Sequence, residues 1–533
     1  MKKIIFLLLL NLLLFSCARV GAPNGGTRDS LAPKFLGSNI DTTRLNVSRT
    51  VKELRLDFDE YVMLKDFNKN FNVSPPIKKI KKVISSNLAN KYVLIQWEDT
   101  LQANTTYNFN FGNAIVDNNE SNPLPYFNFA FSTGDKIDDL FVSGTVKDAM
   151  TLIKENQTAK DNKMVVGLYK AGENLDYKQK PDYITKVDEE NYFELNFLPK
   201  GEFVIIAFDD ENQNSVYDAG KEKVSFLKEK ITLDSTSVRG LKLKLYPSKK
   251  VVKYKESKAI NGGLLMTFEG NPETVDVKSL SEDLKDFKVT HAKRSDSVNI
   301  WFNAEKSNLG GTVSKQVKLS YFTPTISDTI SVSYKAVKDE FKLSNEAGNL
   351  IAPENNFVIN TSLPIENLNT SSWKLESDSI AQDFTAKISE KNPFKILVNS
   401  SFKPTKKYVL TIPKETVSSY YSSNDKSFQF QFEIDKPENY GSFTAVIKNK
   451  PTAKFWVELT NEKGEILYSQ FTNASEVSFK NLKPATYIAR IRVDNNGNGF
   501  WDEADFAQNI AAEDVYIFEK EINVRPLWEI KED

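Results

Sequence analysis

Two nine-residue loops carry oxygen-bearing side chains at alternate positions, a spacing that suits a hard divalent cation. Both read Asp-x-Asn-x-Asn-x-x-x-Asp, and calcium takes six to eight oxygen ligands from such side chains together with backbone carbonyls. Each loop therefore predicts a structural calcium site, in which the seventh residue contributes its backbone carbonyl. The predicted ligands are Asp210, Asn212, Asn214, Val216 and Asp218 in the first loop, and Asp494, Asn496, Asn498, Phe500 and Asp502 in the second.

Both loops differ from the twelve-residue calcium loop of EF-hands, which ends on a bidentate Glu. Lys221 and Asp505 stand at that position, and Glu222 follows one residue after Lys221. Gly499 provides the sharp turn at the sixth position of the second loop, where the first loop has Ser215. Because Asn and Asp also stabilise turns without metal, an Asx-rich turn between strands is the alternative interpretation. Recurrence within one kind of module favours a retained role in stabilising the end of a sandwich.

Little other chemistry is available to this chain. Its 533 residues include one Cys and one His, which excludes disulfides and thiolate zinc sites and leaves little room for a Ser-His-Asp triad. The single His, His291, is expected in an exposed loop. Carboxylates such as Asp57, Asp59 and Glu60 follow strand alternation and indicate a solvated face. We therefore expect no catalytic residues and no enzymatic activity.

The charge balance argues against a nucleic-acid partner. The chain has 70 Lys and Arg against 71 Asp and Glu, a formal net charge of -1, so there is no strongly basic field to attract phosphates.

The elements that must position the loops are predicted to be β-strands. Apolar side chains at Leu54, Leu56 and Phe58 alternate with charged ones, and the pattern repeats along the chain with no sustained helical period beyond the N-terminus. A length of 533 residues predicts three to five domains. We therefore predict an all-β fold of tandem sandwiches in an elongated multidomain chain.

Internal repeats define two kinds of module. A shift of 301 residues aligns 93–133 with 394–434 without a gap, and a shift of 284 aligns Leu198 with Leu482 and Asp210 with Asp494. The predicted modules are module 1 (residues 34–135), module 2 (139–247), module 3 (250–342), module 4 (343–436) and module 5 (437–533).

Two known families resemble these modules. Residues 101–107 (Leu-Gln-Ala-Asn-Thr-Thr-Tyr), the Asn-rich stretch 113–124 and the alternating strand 127–134 make module 1 similar to the bacterial Ig-like domain of the S-layer SbsA type. Module 4 keeps those strands, and module 3 reads as a diverged sandwich. Strands at 142–146 and 193–205 make module 2 resemble the transthyretin-like, or carboxypeptidase-regulatory-like, sandwich, and module 5 repeats the second of them at 477–491.

The N-terminus resembles that of a bacterial lipoprotein. Lys2 and Lys3 precede an apolar run of about a dozen residues, too short for a transmembrane helix, so residues 1–16 are predicted to be a signal peptide. Residues 14–17 (Leu-Phe-Ser-Cys) resemble a lipobox, which implies lipidation of Cys17 and a flexible tether over 17–33. Ala18 after the Cys implies the outer membrane, and the lack of acidic residues there favours its periplasmic face. The alternative is an ordinary secretory signal in which the Cys is incidental.

Together these features predict a lipid-anchored envelope protein that is structural, adhesive or interacting and not catalytic, held to the membrane and facing an envelope protein or glycan partner. A carbohydrate- or peptidoglycan-binding lipoprotein is the alternative. A glycoside hydrolase that uses carboxylates alone, within residues 250–342, is the third hypothesis.

Overall fold

The chain is almost entirely β-structure. The computed structural model describes residues 29–86, 88–152, 163–172, 176–337, 340–346 and 348–533, so Cys17 and the predicted signal peptide lie outside the described residues. The described part contains 42 strands, one single-turn α-helix and two short 3-10 turns. Alternation decides burial: in the strand over residues 53–64, Leu54, Leu56 and Phe58 are buried and Arg55 is exposed. The all-β prediction is confirmed.

Module 1 is a sandwich of two antiparallel sheets. One sheet has the order β1-β2-β5-β4 with β7 added to β2, and the other has the order β3-β6-β8. Phe109, Phe111, Phe129 and Phe131 point from the second sheet into the core and are almost fully buried. The elements are β1 (Phe35–Ser38), β2 (Glu53–Leu64), α1 (Phe67–Asn70), β3 (Asn72–Ser74), β4 (Ile80–Ile84), β5 (Asn90–Trp97), β6 (Thr106–Gly112), β7 (Ile115–Asp117) and β8 (Phe127–Ser132).

Module 2 joins a three-stranded sheet, β12-β9-β16, to a five-stranded one, β11-β10-β13-β14 with β15 added to β13. Strand β16 runs parallel to β9, and the other pairs are antiparallel. The strands are β9 (Leu140–Asp148), β10 (Met164–Lys170), β11 (Tyr183–Lys186), β12 (Tyr192–Leu198), β13 (Gly201–Asp209), β14 (Val224–Phe226), β15 (Ile231–Leu233) and β16 (Val238–Leu245).

Module 3 is a sandwich of the sheets β17-β18-β21-β20 and β19-β22-β23. Its core has its own cluster of buried residues, including Leu264, Ile300 and Leu319. The strands are β17 (Lys253–Ile260), β18 (Gly263–Glu269), β19 (Asp276–Ser279), β20 (Lys288–His291), β21 (Ser297–Trp301), β22 (Lys315–Phe322) and β23 (Ser327–Tyr334).

Module 4 repeats the strand arrangement of module 1. Its sheets are β24-β26-β31-β30 and β25-β34-β32-β28-β29, with β27 paired to β33. The strands are β24 (Leu343–Asn345), β25 (Leu350–Ile351), β26 (Phe357–Thr361), β27 (Asn367–Leu368), β28 (Lys374–Ser377), β29 (Ile380–Ala381), β30 (Phe384–Ile388), β31 (Lys395–Ser400), β32 (Lys407–Ile412), β33 (Val417–Ser418) and β34 (Phe428–Ile434).

Module 5 has the topology of module 2. Its sheets are β38-β35-β42, in which β42 is parallel to β35, and β37-β36-β39-β40 with β41 added to β39. The strands are β35 (Gly441–Val446), β36 (Phe455–Thr460), β37 (Ile466–Thr472), β38 (Glu476–Leu482), β39 (Ala485–Val493), β40 (Val515–Ile517), β41 (Ile522–Val524) and β42 (Glu529–Glu532). A shift of 284 residues superimposes β12 on β38 and β13 on β39 to the residue, so the repeat read from the sequence is a structural repeat.

Each of the five modules has its own cluster of buried apolar residues. Separate cores of this kind agree with the predicted elongated, multidomain chain. Within the described ranges, no helix has the length and apolarity needed to cross a membrane.

Candidate metal centre: two matched loops at a module junction

The first loop leaves the end of β13 and folds around the side chain of Asp210. The buried Asp210 carboxylate accepts hydrogen bonds from the backbone N–H groups of Asn214 at 2.9 Å and Ser215 at 3.0 Å. Asn212 Nδ2 donates to Asp218 Oδ2 at 2.6 Å, which closes the loop across its open side. Three of the predicted ligands, at positions 1, 3 and 9, therefore converge.

The second loop leaves β39 and repeats this arrangement. Asp494 is also buried, and its carboxylate accepts from the N–H groups of Asn498 at 3.0 Å and Gly499 at 2.9 Å. Asn496 Nδ2 and Asn498 Nδ2 donate to Asp502 Oδ2 at 2.6 and 2.8 Å. The two loops are thus the same structure, formed twice by sequences 284 residues apart.

The sixth position of both loops is left-handed. Its φ is 80° at Gly499 and 61° at Ser215, so the first loop holds a non-glycine residue in a conformation that glycine adopts more readily. At the seventh position, Val216 and Phe500 donate their N–H groups to the Asn Oδ1 two residues earlier, at 2.6 and 2.7 Å. These hydrogen bonds fix the path of the backbone through each loop.

A buried glutamate outside each loop binds two of its backbone N–H groups. Glu222 accepts from the N–H groups of Glu211 at 3.0 Å and Asp218 at 2.9 Å. Glu513 accepts from those of Asn496 at 3.2 Å and Asp502 at 3.0 Å. Burial, opposed by these hydrogen bonds, raises the pKa of Glu222 to about 7, and burial also raises the pKa of Glu513.

Sequence reasoning missed Glu513, although a signal was present. Beyond the loops, the offset between modules 2 and 5 changes from 284 to 291 residues, so that Glu222 corresponds to Glu513 and Val224 to Val515. Strands β14 and β15 map onto β40 and β41 at this new offset. A gapped comparison of the repeats would have identified both glutamates.

The loops offer oxygen ligands of the kind that calcium prefers, but their hydrogen bonds are complete without an ion. At its predicted side-chain ligand positions each loop has two aspartates and two asparagines, a set suited to a hard cation. The first Asp and both Asn oxygens accept backbone N–H groups, as in an Asx-rich turn. Among the described residues, no group of three or more His, Cys, Asp or Glu side chains is placed to hold a metal ion.

Module 3 forms an ion pair with the second loop and, among the described residues, none with the first. Arg294 Nη1 lies 2.7 Å from Asp502 Oδ1, and its Nε lies 2.6 Å from Glu273 Oε1. Burial opposes ionisation of Asp502, but hydrogen bonds from Asn496 and Arg294 lower its pKa overall. In the first loop, no ion pair to Asp218 is found within the described part of the chain. The guanidinium therefore supplies a positive charge to one loop only.

The segment after the second loop docks on module 2. Phe506 is 5% exposed, and its ring centroid lies 4.4 Å from that of Tyr177, 5.9 Å from Tyr217 and 5.1 Å from Phe226. Ala504 forms a parallel bridge with Ser248 beside these rings. The two loops, far apart in sequence, therefore lie at one junction, which we call the clasp (Arg294 and residues 502–512 with their contacts in module 2).

The outer face of module 2 explains why the clasp forms. In β13, Phe203, Ile205 and Ala207 point into the sandwich core, and Ile206 and Phe208 are just as buried on the opposite face. A strand that is apolar on both faces must be covered on both. The docking segment supplies that second cover.

His291 differs from expectation. It ends strand β20 instead of lying in an exposed loop, is half-buried, and its Nε2 lies 3.0 Å from the Ser295 carbonyl oxygen. The exposed-loop prediction was wrong because the Ser/Asp turn begins after this residue. Asp57 and Asp59 lie on the more solvated face of β2, where Asp57 pairs with Arg55 at 2.9 Å and Asp59 accepts from the Lys34 N–H. Glu60 differs, because it is half-buried, and burial together with the charge of Asp117 raises its pKa.

Comparison with known proteins identifies the class of the first module. Residues 29–133 match the family model described as a bacterial Ig-like domain, so module 1 is an Ig-like sandwich of bacterial type. No curated protein matches the chain.

Several solved structures are remotely similar. Domains 1–6 of the surface layer protein SbsC share 12% identity over 93% of this chain and 67% of that one, with a TM-score of 0.16. The SGBP-B protein of a Bacteroides ovatus mixed-linkage glucan utilization locus was solved with a mixed-linkage heptasaccharide. It shares 9% identity over 73% of this chain and 94% of its own, with a TM-score of 0.19. The major pilin subunit of Bacillus cereus shares 10% identity over 74% of this chain and 99% of its own, with a TM-score of 0.13.

Proposed function

We propose that this chain is a lipid-anchored, non-catalytic envelope protein whose sandwiches form a stiff scaffold for presenting binding surfaces. The observation that supports it best is the clasp. Neighbouring domains in one chain move relative to each other by default unless a substantial apolar interface holds them. Here a buried aromatic cluster, a backbone bridge and an ion pair join modules 2, 3 and 5.

Cross-linking tests the clasp directly. Asn509 Nδ2 donates to the Lys228 carbonyl at 3.3 Å, so these positions in modules 5 and 2 are neighbours. In a Cys17→Ser background, the double variant Lys228→Cys with Asn509→Cys should form an intramolecular cross-link with a short bis-maleimide reagent. Each single-cysteine variant is the matched control. A double variant that stays uncross-linked would exclude the clasp in solution.

The proposal includes calcium as a structural ion in the loops. Asp210, Asn212, Asn214, the Val216 carbonyl and Asp218 would hold it in the first loop, and the corresponding residues 494–502 in the second. The ion would supply positive charge at the strand ends and stiffen them. Because Arg294 already neutralises Asp502, we propose that the first loop binds calcium more tightly than the second.

Thermal melting with EDTA and then with calcium tests this part. An ion that binds only the folded state must raise the melting temperature. The shift should be lost in Asp210→Ala combined with Asp494→Ala and kept in Asp57→Ala, a partly exposed strand aspartate outside the loops. No shift, and no metal by mass spectrometry, would leave both loops as ordinary Asx turns.

The anchor and its location are the remaining part of the proposal. Cys17 would carry the lipid, and residues 18–33 would tether the sandwiches to the periplasmic face of the outer membrane. Two or more acyl chains anchor a protein stably, since each buried CH₂ contributes about 0.8 kcal/mol. Labelled palmitate should enter the protein and be absent from Cys17→Ser. A variant that keeps the label would exclude this anchor.

A further inference from the structure

A cleft of about 1030 Å³ lies between modules 1 and 2. One wall is the outer face of the sheet β3-β6-β8, and the other is formed by β11 and β12 of module 2. The walls meet where the Ile184 N–H donates to Ser74 Oγ at 3.2 Å. The cleft is at the upper end of the size range for small-molecule sites and has room for several linked rings.

The outer face of the sheet β3-β6-β8, which we call the floor of the cleft, carries a row of asparagines. Strand alternation sends the phenylalanines of β6 and β8 into the core and Asn108, Asn110 and Asn128 outward. Asn110 pairs in register with Asn72 on one side and Asn128 on the other, so the amides lie side by side across three strands. The floor is therefore neutral and rich in both donors and acceptors.

Three of these amides are incompletely bonded. Within the described part of the chain, the Oδ1 atoms of Asn72, Asn108 and Asn128 are buried without a hydrogen-bond partner, and Asn108 is 7% exposed. A buried acceptor without a partner destabilises the folded state. Because these oxygens are closed off from solvent in this arrangement, rotation of the amides toward the cleft would bring them to a ligand that carries hydroxyl donors and would give each of them a partner.

The mouth of the cleft presents an aromatic ring under strain. Tyr126 is 69% exposed and has a φ of 51°, which is unusual for a bulky residue. Its N–H donates to Asn113 Oδ1 at 3.1 Å, and its carbonyl accepts from Asn128 Nδ2 at 3.0 Å. Floor and rim asparagines thus hold this ring in solvent, where hydrophobic burial would not place it. Tyr192 on β12 adds a second exposed ring, with its hydroxyl 2.6 Å from Glu194.

The charges around the cleft disfavour an anionic ligand. Its lining includes three lysines and five carboxylates, so a polyanion would meet net repulsion. Neutral amides that can bond adjacent hydroxyl groups, together with rings that can cover the apolar C–H face of a sugar, fit a polyhydroxylated ligand. We infer that this cleft binds a neutral oligosaccharide. A peptide could also hydrogen-bond to the asparagine amides. It offers few hydroxyl donors for the unpartnered oxygens, however, and no repeated C–H face for the exposed rings to cover.

Calorimetric titration tests the inference without reference to the clasp. Full-length protein, in a detergent without a sugar headgroup, is titrated with neutral oligosaccharides of four to six hexose or pentose units. Oligogalacturonates and a mixture of unstructured peptides form the other arms. At least one neutral oligosaccharide should bind, and acidic oligosaccharides and peptides should not. Binding confined to the acidic or peptide arm, or no binding in any arm, would overturn the inference.

Two variants locate the site. Tyr126→Ala removes a ring that is 69% exposed and leaves a Cβ at the same left-handed φ, so it should weaken sugar affinity at least tenfold while the melting temperature stays close to that of the native protein. Asn108→Ala should weaken affinity by a similar factor. Tyr61→Ala is the matched control, because Tyr61 is a 56% exposed tyrosine of module 1 outside the cleft. Unchanged affinity in Tyr126→Ala would exclude this cleft as the binding site, whether or not the clasp forms.

Discussion

Replacing Phe506 by Ala should uncouple modules 2 and 5. Phe→Ala in a packed core costs about 3–5 kcal/mol, and the Phe506 ring packs on three aromatic rings of module 2. Because its ring partners belong to the other module, the loss falls on docking and leaves the sandwich of module 5 intact. We take the lower end, about 3 kcal/mol, since a surface segment can partly relax. That is a loss of roughly a hundredfold in the ratio of docked to undocked molecules.

Calorimetry and small-angle scattering measure the effect of Phe506→Ala. The native protein should unfold modules 2 and 5 in one transition, and the variant should show two transitions and a larger radius of gyration. Phe471→Ala is the control, because Phe471 is a 44% exposed phenylalanine of module 5 outside the clasp. If the variant retains the native thermogram and scattering curve, Phe506 does not hold the modules together and the reasoning fails.

Three further predictions concern charged side chains. Arg294→Gln should raise the calcium affinity of the second loop, measured by titration in an Asp210→Ala background, because it removes the cation that neutralises Asp502. Unchanged affinity would show that Arg294 does not compete with calcium for Asp502. In EDTA, the contribution of Glu222 to the free energy of unfolding should be greatest below the ordinary Glu pKa of 4.5 and fall by up to about 3 kcal/mol as the pH rises to about 7, because the folded state retains a proton on Glu222 that the unfolded chain has lost; in urea unfolding, the difference in stability between Glu222→Gln and the native protein should therefore change with pH over this range, and a constant difference would contradict the raised pKa. Glu458→Ala should lower the free energy of unfolding by about 3–5 kcal/mol, since it leaves Arg490, 2.7 Å from the lost carboxylate, buried without a counter-charge. Glu476→Ala, which breaks the exposed ion pair with Lys531, should lower it by less than about 1 kcal/mol when both variants are measured by urea unfolding.

The fold class was predictable because burial follows local alternation. Period 2 in β2, β6 and β8 marks one face as core, and the ungapped repeats place the corresponding strands of paired modules at the same positions. Alternation is read within a single strand, and the repeat is read at a fixed offset along the chain. They therefore identify an all-β chain of repeated sandwiches without any knowledge of how the sandwiches contact each other.

Contacts between modules were not predictable in this way. The loop side chains Asp210 and Asp494 were identified because their partners are four and five residues away. Arg294 lies 208 residues from Asp502, and no local pattern links them. The one available signal for docking was composition: β13 is apolar on both faces, and alternation analysis assigns only one of those faces to the core.

The change of offset explains how one member of the repeated pair acquired the clasp. Between the last loop aspartate and the buried glutamate, module 2 has three residues, 219–221, whereas module 5 has ten, 503–512. The strands on both sides correspond, so the seven additional residues lengthen only this connection. That longer connection contains Ala504 and Phe506, which make the contacts with module 2. The loop itself kept its hydrogen bonds, since Glu513 still bridges the same backbone turn as Glu222. A repeated sandwich end thus has a short connection in one copy and, in the other, a longer connection that makes the contacts between modules.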